Sequence, residues 1–444
     1  NPKNKIIPQV AQDFLPPTLD ANLSSIGSME KGLALNAQLA FDQYETWNVK
    51  LNQAKAMSNK PQPMLVDIAW QGIDRAVPYI GWLSSDNGQT NITLKEGQQD
   101  IFVSTTVKPH EKTVLPTGKY DARLDVKGSL LDIENFRYQA ENGSLSGLAK
   151  IKLPTEKQQL SWSATLKADN FNPQTVATAA PVNLLNGQIV AKGFAKPNQQ
   201  IIQFDNIDLN GQLAQSNTSE KIALKGKSTV ALIFHDQKNG GGFKSYAVQY
   251  DGSLNALNQA NGLLKIDVAG TPDYVKINEL KHDGVAGKLF ATGSVNLKDK
   301  LGWNIETSLV RFKPQYFVSS VKGEISGHVK SQGVWSDDLK RVDIRQLNAA
   351  GFINNKPVRG RGNLTLLLDS NQKGFLPQQF EANDLFFAYA QNQLQATGNA
   401  QSLKVKLNAP ALYEIYPGLQ GRAYGNLNIQ SQPKLKATAN IAVD

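Results

Sequence analysis

Alternation of apolar and polar residues constrains this chain more than any other feature. Between Tyr274 and Gly333 the apolar residues recur at every second position. Leu289, Ala291, Gly293, Val295 and Leu297 form one run. Asp299-Lys300 turns the chain, and Leu301, Trp303, Ile305, Thr307 and Leu309 form the next. The positions between are Thr292, Ser294, Asn296 and Lys298, then Gly302, Asn304, Glu306 and Ser308. A period of two sends successive side chains to opposite faces of a strand, so each run has one apolar and one wet face. Two such runs about a short polar turn predict a hairpin.

The pattern extends along most of the chain. It is seen at Leu33–Phe41, Trp47–Leu51, Ile101–Val107 and Tyr120–Val126, and again at Ile207–Leu213, Val230–Phe234, Tyr246–Tyr250 and Leu264–Val268. Later runs are Ile325–Val329, Val358–Leu368, Ala423–Ile429 and Leu435–Val443. One strand and turn per ~12–14 residues predicts on the order of 30 strands. Helical pattern is scarce. Pro173–Ala180 and Pro314–Val321, each with Pro in its first turn, and Pro410–Tyr416 predict two-turn inserts. Residues 1–30 are Pro-rich and receive no element. Trp70–Ser84 interrupts the alternation and reads as a loop or a short helix, and Asn239-Gly240-Gly241-Gly242 as a hairpin turn.

A long degenerate repeat is superimposed on the strands. Trp303 is followed by Phe312-x-Pro314, and Trp162 by Phe171-x-Pro173 at the same offsets. A looser copy at 378–410 has Leu403 in the Trp place, and a Gly-punctuated strand follows each copy. The spacing is irregular, with units near 30–130, 131–260, 261–377 and 378–444, so no short fixed-period solenoid is expected. No clear linker interrupts 1–444, which reads as one continuous elongated β-groove. The expected fold class is therefore all-β: an elongated, repetitive, curled β-sheet trough with an apolar interior face and a few short helical inserts. A helical layer to cover the apolar faces is missing, so the sheet must curl over them or a ligand must lie on them. Two ordinary sheets packed face to face remain the alternative.

Chemistry is hard to find. The histidines His110, His235, His282 and His328 lie far apart, and the chain has no cysteine, so no metal-ligand spacing is legible. They read as surface or strand residues. Gly226-Lys227-Ser228 imitates the end of a phosphate loop, but Lys221 stands where the first glycine is needed. Asp337-Asp338 falls at a turn, where acidic residues are routine. We expect neither an enzyme nor a cofactor. The net charge of +9 is spread over alternating wet positions, which indicates a solvated face without a nucleic-acid signature. No run of eighteen apolar residues could span a membrane as a helix. The chain starts with Asn1 and ends in mid-pattern, so a fragment of a longer protein is expected.

What remains is the apolar stripe, whose physical use is to hold alkyl chains. Each CH₂ removed from water is worth about 0.8 kcal/mol. The expected lipid groove comprises Leu124, Val126, Leu160, Trp162, Leu166, Ile207, Leu209 and Leu213 in the first half. It continues through Val230, Leu232, Ile266, Val268, Val275, Ile277, Leu289, Val295 and Leu297. Further on it takes in Leu301, Trp303, Ile305, Leu309, Ile325, Val329, Leu364, Leu366, Leu368, Leu427 and Ile429. A polysaccharide-active or adhesive solenoid would show aromatic ladders or acid clusters, and none is legible.

The segments LDIENFRYQAENGSLSG…LSWSATLKADNFNP and VKINELKHDGVAGKLFATGSVNLKDKLGWNIETSLVRFKP, with LKVKLNAPALYEIYPGLQGRAYGNL, resemble the periplasmic repeats of the TamB family within the AsmA-like superfamily. The likeness covers about 160–440 well, 60–95 also, and 1–60 weakly. It implies a protein anchored in the inner membrane by an N-terminal helix, with a periplasmic trough known as a β-taco. It implies the movement of phospholipids between the inner and outer membranes, and a part in outer-membrane protein assembly with the barrel protein TamA. Neither the anchor helix nor the complete C-terminal region is seen here, so this piece is expected neither to anchor nor to bind TamA by itself.

Overall fold

The structure is a computed structural model. It describes residues 19–443 except 29, 42–43, 56–61, 78–80, 111–114, 157, 177, 179, 181, 197, 214–220, 236–241, 256–260, 317, 338, 369–376, 400, 416–417, 419 and 431–435. Alternation has produced strands almost everywhere, and the contacts divide them into two units.

The first unit holds β1 (Leu19–Ser28), β2 (Gly32–Phe41), β3 (Glu45–Gln53), β4 (Met64–Val77), β5 (Gly81–Lys95), β6 (Gln98–Val107), β7 (Gly118–Lys127), β8 (Leu130–Ala140), β9 (Gly143–Lys152), β10 (Leu160–Phe171), β11 (Val182–Lys196) and most of β12 (Gln199–Leu213). The second holds β13 (Lys221–Phe234), β14 (Phe243–Asn255), β15 (Gly262–Thr271), β16 (Tyr274–Gly284), β17 (Gly287–Asn296), β18 (Leu301–Phe312), β19 (Gly323–Trp335), β20 (Lys340–Ile353), β21 (Lys356–Leu368), β22 (Pro377–Tyr389), β23 (Asn392–Asn399), β24 (Ser402–Ala409), β25 (Ala423–Gln430) and β26 (Lys436–Val443). Each unit is an open, curled antiparallel meander in which a strand pairs with its successor. Among the described residues, no pairing closes either unit into a barrel. Tight turns link the strands where the residues tolerate positive φ: Asn354 and Asn355, at φ 49° and 63°, join β20 to β21.

Alternation is not strict within every strand. Several shift register by a β-bulge where two residues, all polar except Val310, separate one apolar residue from the next. These are Ile133-Glu134-Asn135-Phe136 in β8, Ala168-Asp169-Asn170-Phe171 in β10 and Ile277-Asn278-Glu279-Leu280 in β16. The others are Leu309-Val310-Arg311-Phe312 in β18, Ile344-Arg345-Gln346-Leu347 in β20 and Ala382-Asn383-Asp384-Leu385 in β22. The extra residue bends the strand and returns the next apolar side chain to the face it would otherwise leave. Asn170, Arg311, Gln346 and Asp384 take the left-handed conformation there, with φ of 47°, 49°, 54° and 47°. Three of the freed backbone N–H groups are satisfied from the following strand. Asn170 N donates to Asn186 Oδ1, Arg311 N to Ser326 Oγ and Gln346 N to Asn363 Oδ1, each at 2.8 Å.

Other expectations are corrected. Trp70–Ser84 is neither loop nor helix: it forms the end of β4 and the start of β5, with 78–80 outside the described residues. Gly72, at φ 70°, kinks β4, so Trp70 and Ile73 share a face although three residues apart, and the period-two signal is lost. The inserts are shorter than two turns, being 3₁₀ turns at Pro173–Thr175 and Pro314–Tyr316 and a four-residue α-helix at Leu412–Ile415. Within residues 1–30, β1 occupies Leu19–Ser28, and 1–18 lie outside the described residues. So do 239–241 of the expected glycine turn, Asp338 and Leu435.

Candidate functional site

Directly opposed residues of an antiparallel pair share a face, so register can be followed strand by strand. In the second unit one row runs without a break from β13 to β26: Val230, Val248, Val268, Ile277, Gly293, Ile305 and Ser331, then Ile344, Leu364, Ala382, Gly398, Leu403, Ile429 and Ala437. In the first unit an equivalent row runs from β2 to β11: Leu35, Leu51, Val66, Ile92 and Ile101, then Leu124, Ile133, Ala149, Ala164 and Ala191. Only by crossing at the bulges do these rows stay apolar.

Most of the groove residues expected from sequence lie on these faces and are half-buried, neither sealed in a core nor fully in water. Ile207 is buried, whereas Leu166 and Leu301 are 44% and 46% exposed. Leu297 sits past the end of β17, where its N–H donates to Asp273 O, and is 54% exposed. The backbone of Leu213 ends β12, but its side chain lies outside the described residues.

The opposite face is wet and ion-paired. Lys150 lies opposite Asp132 at 2.9 Å, Lys288 opposite Asp283 at 2.8 Å and Lys330 opposite Glu306 at 3.2 Å. Exposed pairs add little stability, but opposite charges facing each other disfavour a slipped register. The carboxyl of Asp283 is held below the usual range chiefly by its hydrogen bond from Lys288.

Three of the tryptophans lie on the apolar faces against a glycine. Trp70, Trp162 and Trp303 are each opposite a glycine, namely Gly88, Gly193 and Gly333, and a Cβ at any of these would overlap the indole. The missing side chain makes the space that the ring fills. The indole N–H of Trp303 donates to Ser331 Oγ at 2.9 Å, which satisfies the one polar atom of that ring.

Sequence reasoning missed several residues of these faces. Glu45 is buried on the apolar side and accepts from Trp47 Nε1 at 2.6 Å and from Arg75 Nε at 2.9 Å, while the Arg75 guanidinium lies 5.6 Å from the Phe41 ring centroid. The rings of Tyr120 and Tyr138 lie 4.7 Å apart at a tilt of 32°, their hydroxyls donate to the carbonyls of Pro116 and Thr117, and burial pushes both hydroxyls up. His282, an even-numbered residue that strict alternation from Ile277 would put on the wet side, is buried opposite Leu264 and Leu289. The signal was the Ile277-Asn278-Glu279-Leu280 step. At one strand end the helix Leu412–Ile415 is pinned by Glu414, which accepts from Lys356 Nζ at 2.8 Å.

Among the described residues, no group of three or more acidic or histidine side chains is arranged to hold a metal ion, and no helix is long and apolar enough to cross a membrane. What these units present is an all-β scaffold with an extended, half-open apolar face. The family model described as TamB, N-terminal domain, matches residues 221–442, and the chain belongs to that family. It is also similar to the Translocation and assembly module subunit TamB of Haemophilus influenzae, at 23% identity over 438 residues covering 94% of this chain and 32% of the relative. The chain thus spans about a third of the length of that curated relative. No solved structure matches it.

Proposed function

We propose that this chain is a stretch of a periplasmic, bridge-like conduit that carries phospholipids between the inner and outer membranes, with their acyl chains on the apolar faces. The single observation supporting this is the row from Val230 to Ala437, apolar almost throughout and continuous across every strand of its unit. A selective pocket needs a few polar groups at fixed places, whereas here successive strands offer near-equivalent positions. Each methylene laid on the face gains about 0.8 kcal/mol with little directional preference, so a lipid can shift from strand to strand at small cost. Its head group would stay at the open edge in water. The membrane anchor and a TamA-type outer-membrane partner belong to this proposal for the whole protein.

The test is organic extraction of the purified chain followed by mass spectrometry. Several phospholipid molecules per chain support the conduit. Lipid-free, monodisperse protein that takes up no labelled phospholipid from vesicles overturns it. The relative's name, a subunit of a translocation and assembly module, favours a second reading: a scaffold for outer-membrane proteins, whose unfolded clients would crosslink to strand edges and not to the apolar face.

A further inference from the structure

The wet face of the second unit carries a concave basin of about 1000 Å³ across β21–β26. It does not depend on the lipid reading, because its charged and amide side chains alternate with those of the apolar face, although Leu385, Ala396, Val405 and Leu427 also border it. Register assembles its floor: Arg361 lies opposite Phe386, Phe386 opposite Gln395, Gln395 opposite Lys406, Lys406 opposite Asn426 and Asn426 opposite Asn440. A parallel row places Lys404 opposite Asn428 and Asn428 opposite Thr438. Neighbouring rungs are about 4.8 Å apart.

On the same face outside the basin some lysines are ion-paired, whereas others, Lys276 and Lys281 among them, make no ion pair with a described carboxylate. Lys265, Lys288 and Lys330 each pair with a carboxylate at 2.6, 2.8 and 3.2 Å. Arg361, Lys404 and Lys406 line the basin, and none makes an ion pair with a described carboxylate. Asp384 is the one acidic residue in the lining. Arg361 lies 5.4 Å from the centre of the Phe386 ring, an arrangement that occupies the guanidinium face and leaves its N–H edge for an anion.

We propose that this basin binds an anionic oligosaccharide. The cations would take its carboxylates or phosphates, and the asparagine, glutamine and threonine rows would exchange hydrogen bonds with its hydroxyls. A purely electrostatic anion site would need the lysines but not the amide rows. No aromatic ladder marks the basin in the sequence, because residues some 80 positions apart meet only through the register of six strands.

The experiment is calorimetric titration of the full chain with hexagalacturonate, with neutral maltohexaose and charge-matched polyphosphate as comparison ligands. Two variants accompany it, Lys404→Gln/Lys406→Gln in the basin and Lys276→Gln/Lys281→Gln on the same wet face outside it. Circular dichroism and melting temperature establish that both fold. The expected result is saturable binding of hexagalacturonate that weakens by about tenfold or more in the basin variant. The outside variant should bind as the unaltered chain does. The proposal is overturned if the unaltered chain does not bind, if the two variants weaken binding equally, or if polyphosphate binds as well as the sugar.

Discussion

The first and second units share one construction but seal it differently. On the first, Phe41, Trp70, Ile73, Leu83, Val107, Tyr138, Phe171 and Ile207 are buried. On the second, the large apolar side chains that are buried, among the described residues, are Tyr250 and Leu403, and the rest of the buried apolar set is alanine. The number of strands does not explain this. Around β3–β6 the aromatic rings of Trp47 and Trp70 approach to 5.7 Å and, with Ile73, Leu83 and Val107, close over the sheet's own face. Around β15–β21 valine, isoleucine and leucine stand side by side in rows, and no described element covers them. Alternation therefore makes a face, and the bulk carried by that face decides whether it becomes a core or remains open.

The comparison can be broken most forcefully by placing a charge on each face. Ile73→Arg buries an unpaired guanidinium in the sealed patch and should cost about 3 kcal/mol or more, read as a fall in the denaturant midpoint. Ile305→Arg on the half-open face can reach water and should change the midpoint by less than about 1 kcal/mol while abolishing lipid uptake. Equal destabilisation by the two would mean that the second face is a packed core after all. Next in size is the Trp–Gly pairing. Gly333→Val forces the Trp303 ring off the face and should destabilise by about 1–3 kcal/mol. In a Trp303→Leu background the same change should cost clearly less, and a double-mutant cycle of melting curves measures the coupling. Smaller still are the bulge caps. Asn363→Ala leaves the Gln346 N–H without its partner and should cost about 1 kcal/mol in urea unfolding.

The smallest effect is local and acid-dependent. The hydrogen bond from Lys356 holds the carboxyl of Glu414 below the usual range, against an opposing push from burial. A depressed carboxylate stabilises above its unfolded pKa and loses that contribution as pH falls through the folded value. The helix Leu412–Ile415 should therefore loosen under acid and hold at neutral pH. Glu414→Gln should remove the pH dependence, which hydrogen exchange at Leu412–Ile415 would report.

Legibility in the sequence followed the physics of each element. The strands around Leu289–Leu309 were readable because a half-buried strand shows every second residue to water. The turn at Asp299-Lys300 was readable for its polar pair, and Asp299 indeed takes φ 57°. The β4–β5 kink was not, because Gly72 moves the apolar phase by one residue and the period disappears. The burial of His282 was not legible either, because the bulge between Ile277 and Leu280 moves the apolar phase of β16 by one residue. The four-residue helix Leu412–Ile415 is held by Glu414 and by the N–H of Ala411 donating to Asn392, contacts that local propensity does not contain.

By itself the sequence determined the class of fold, the existence of one apolar and one wet face, and the Trp…Phe-x-Pro grammar, since all of these are local patterns, the last of them the eleven-residue step from Trp303 to Pro314. Only the tertiary structure decided that the apolar residues of neighbouring strands join into continuous rows. Register is a relation between residues far apart in the chain, and a single-residue slip would turn every side chain to the other face. The bulges, with their positive-φ residues and their caps borrowed from the next strand, are what hold that register in place.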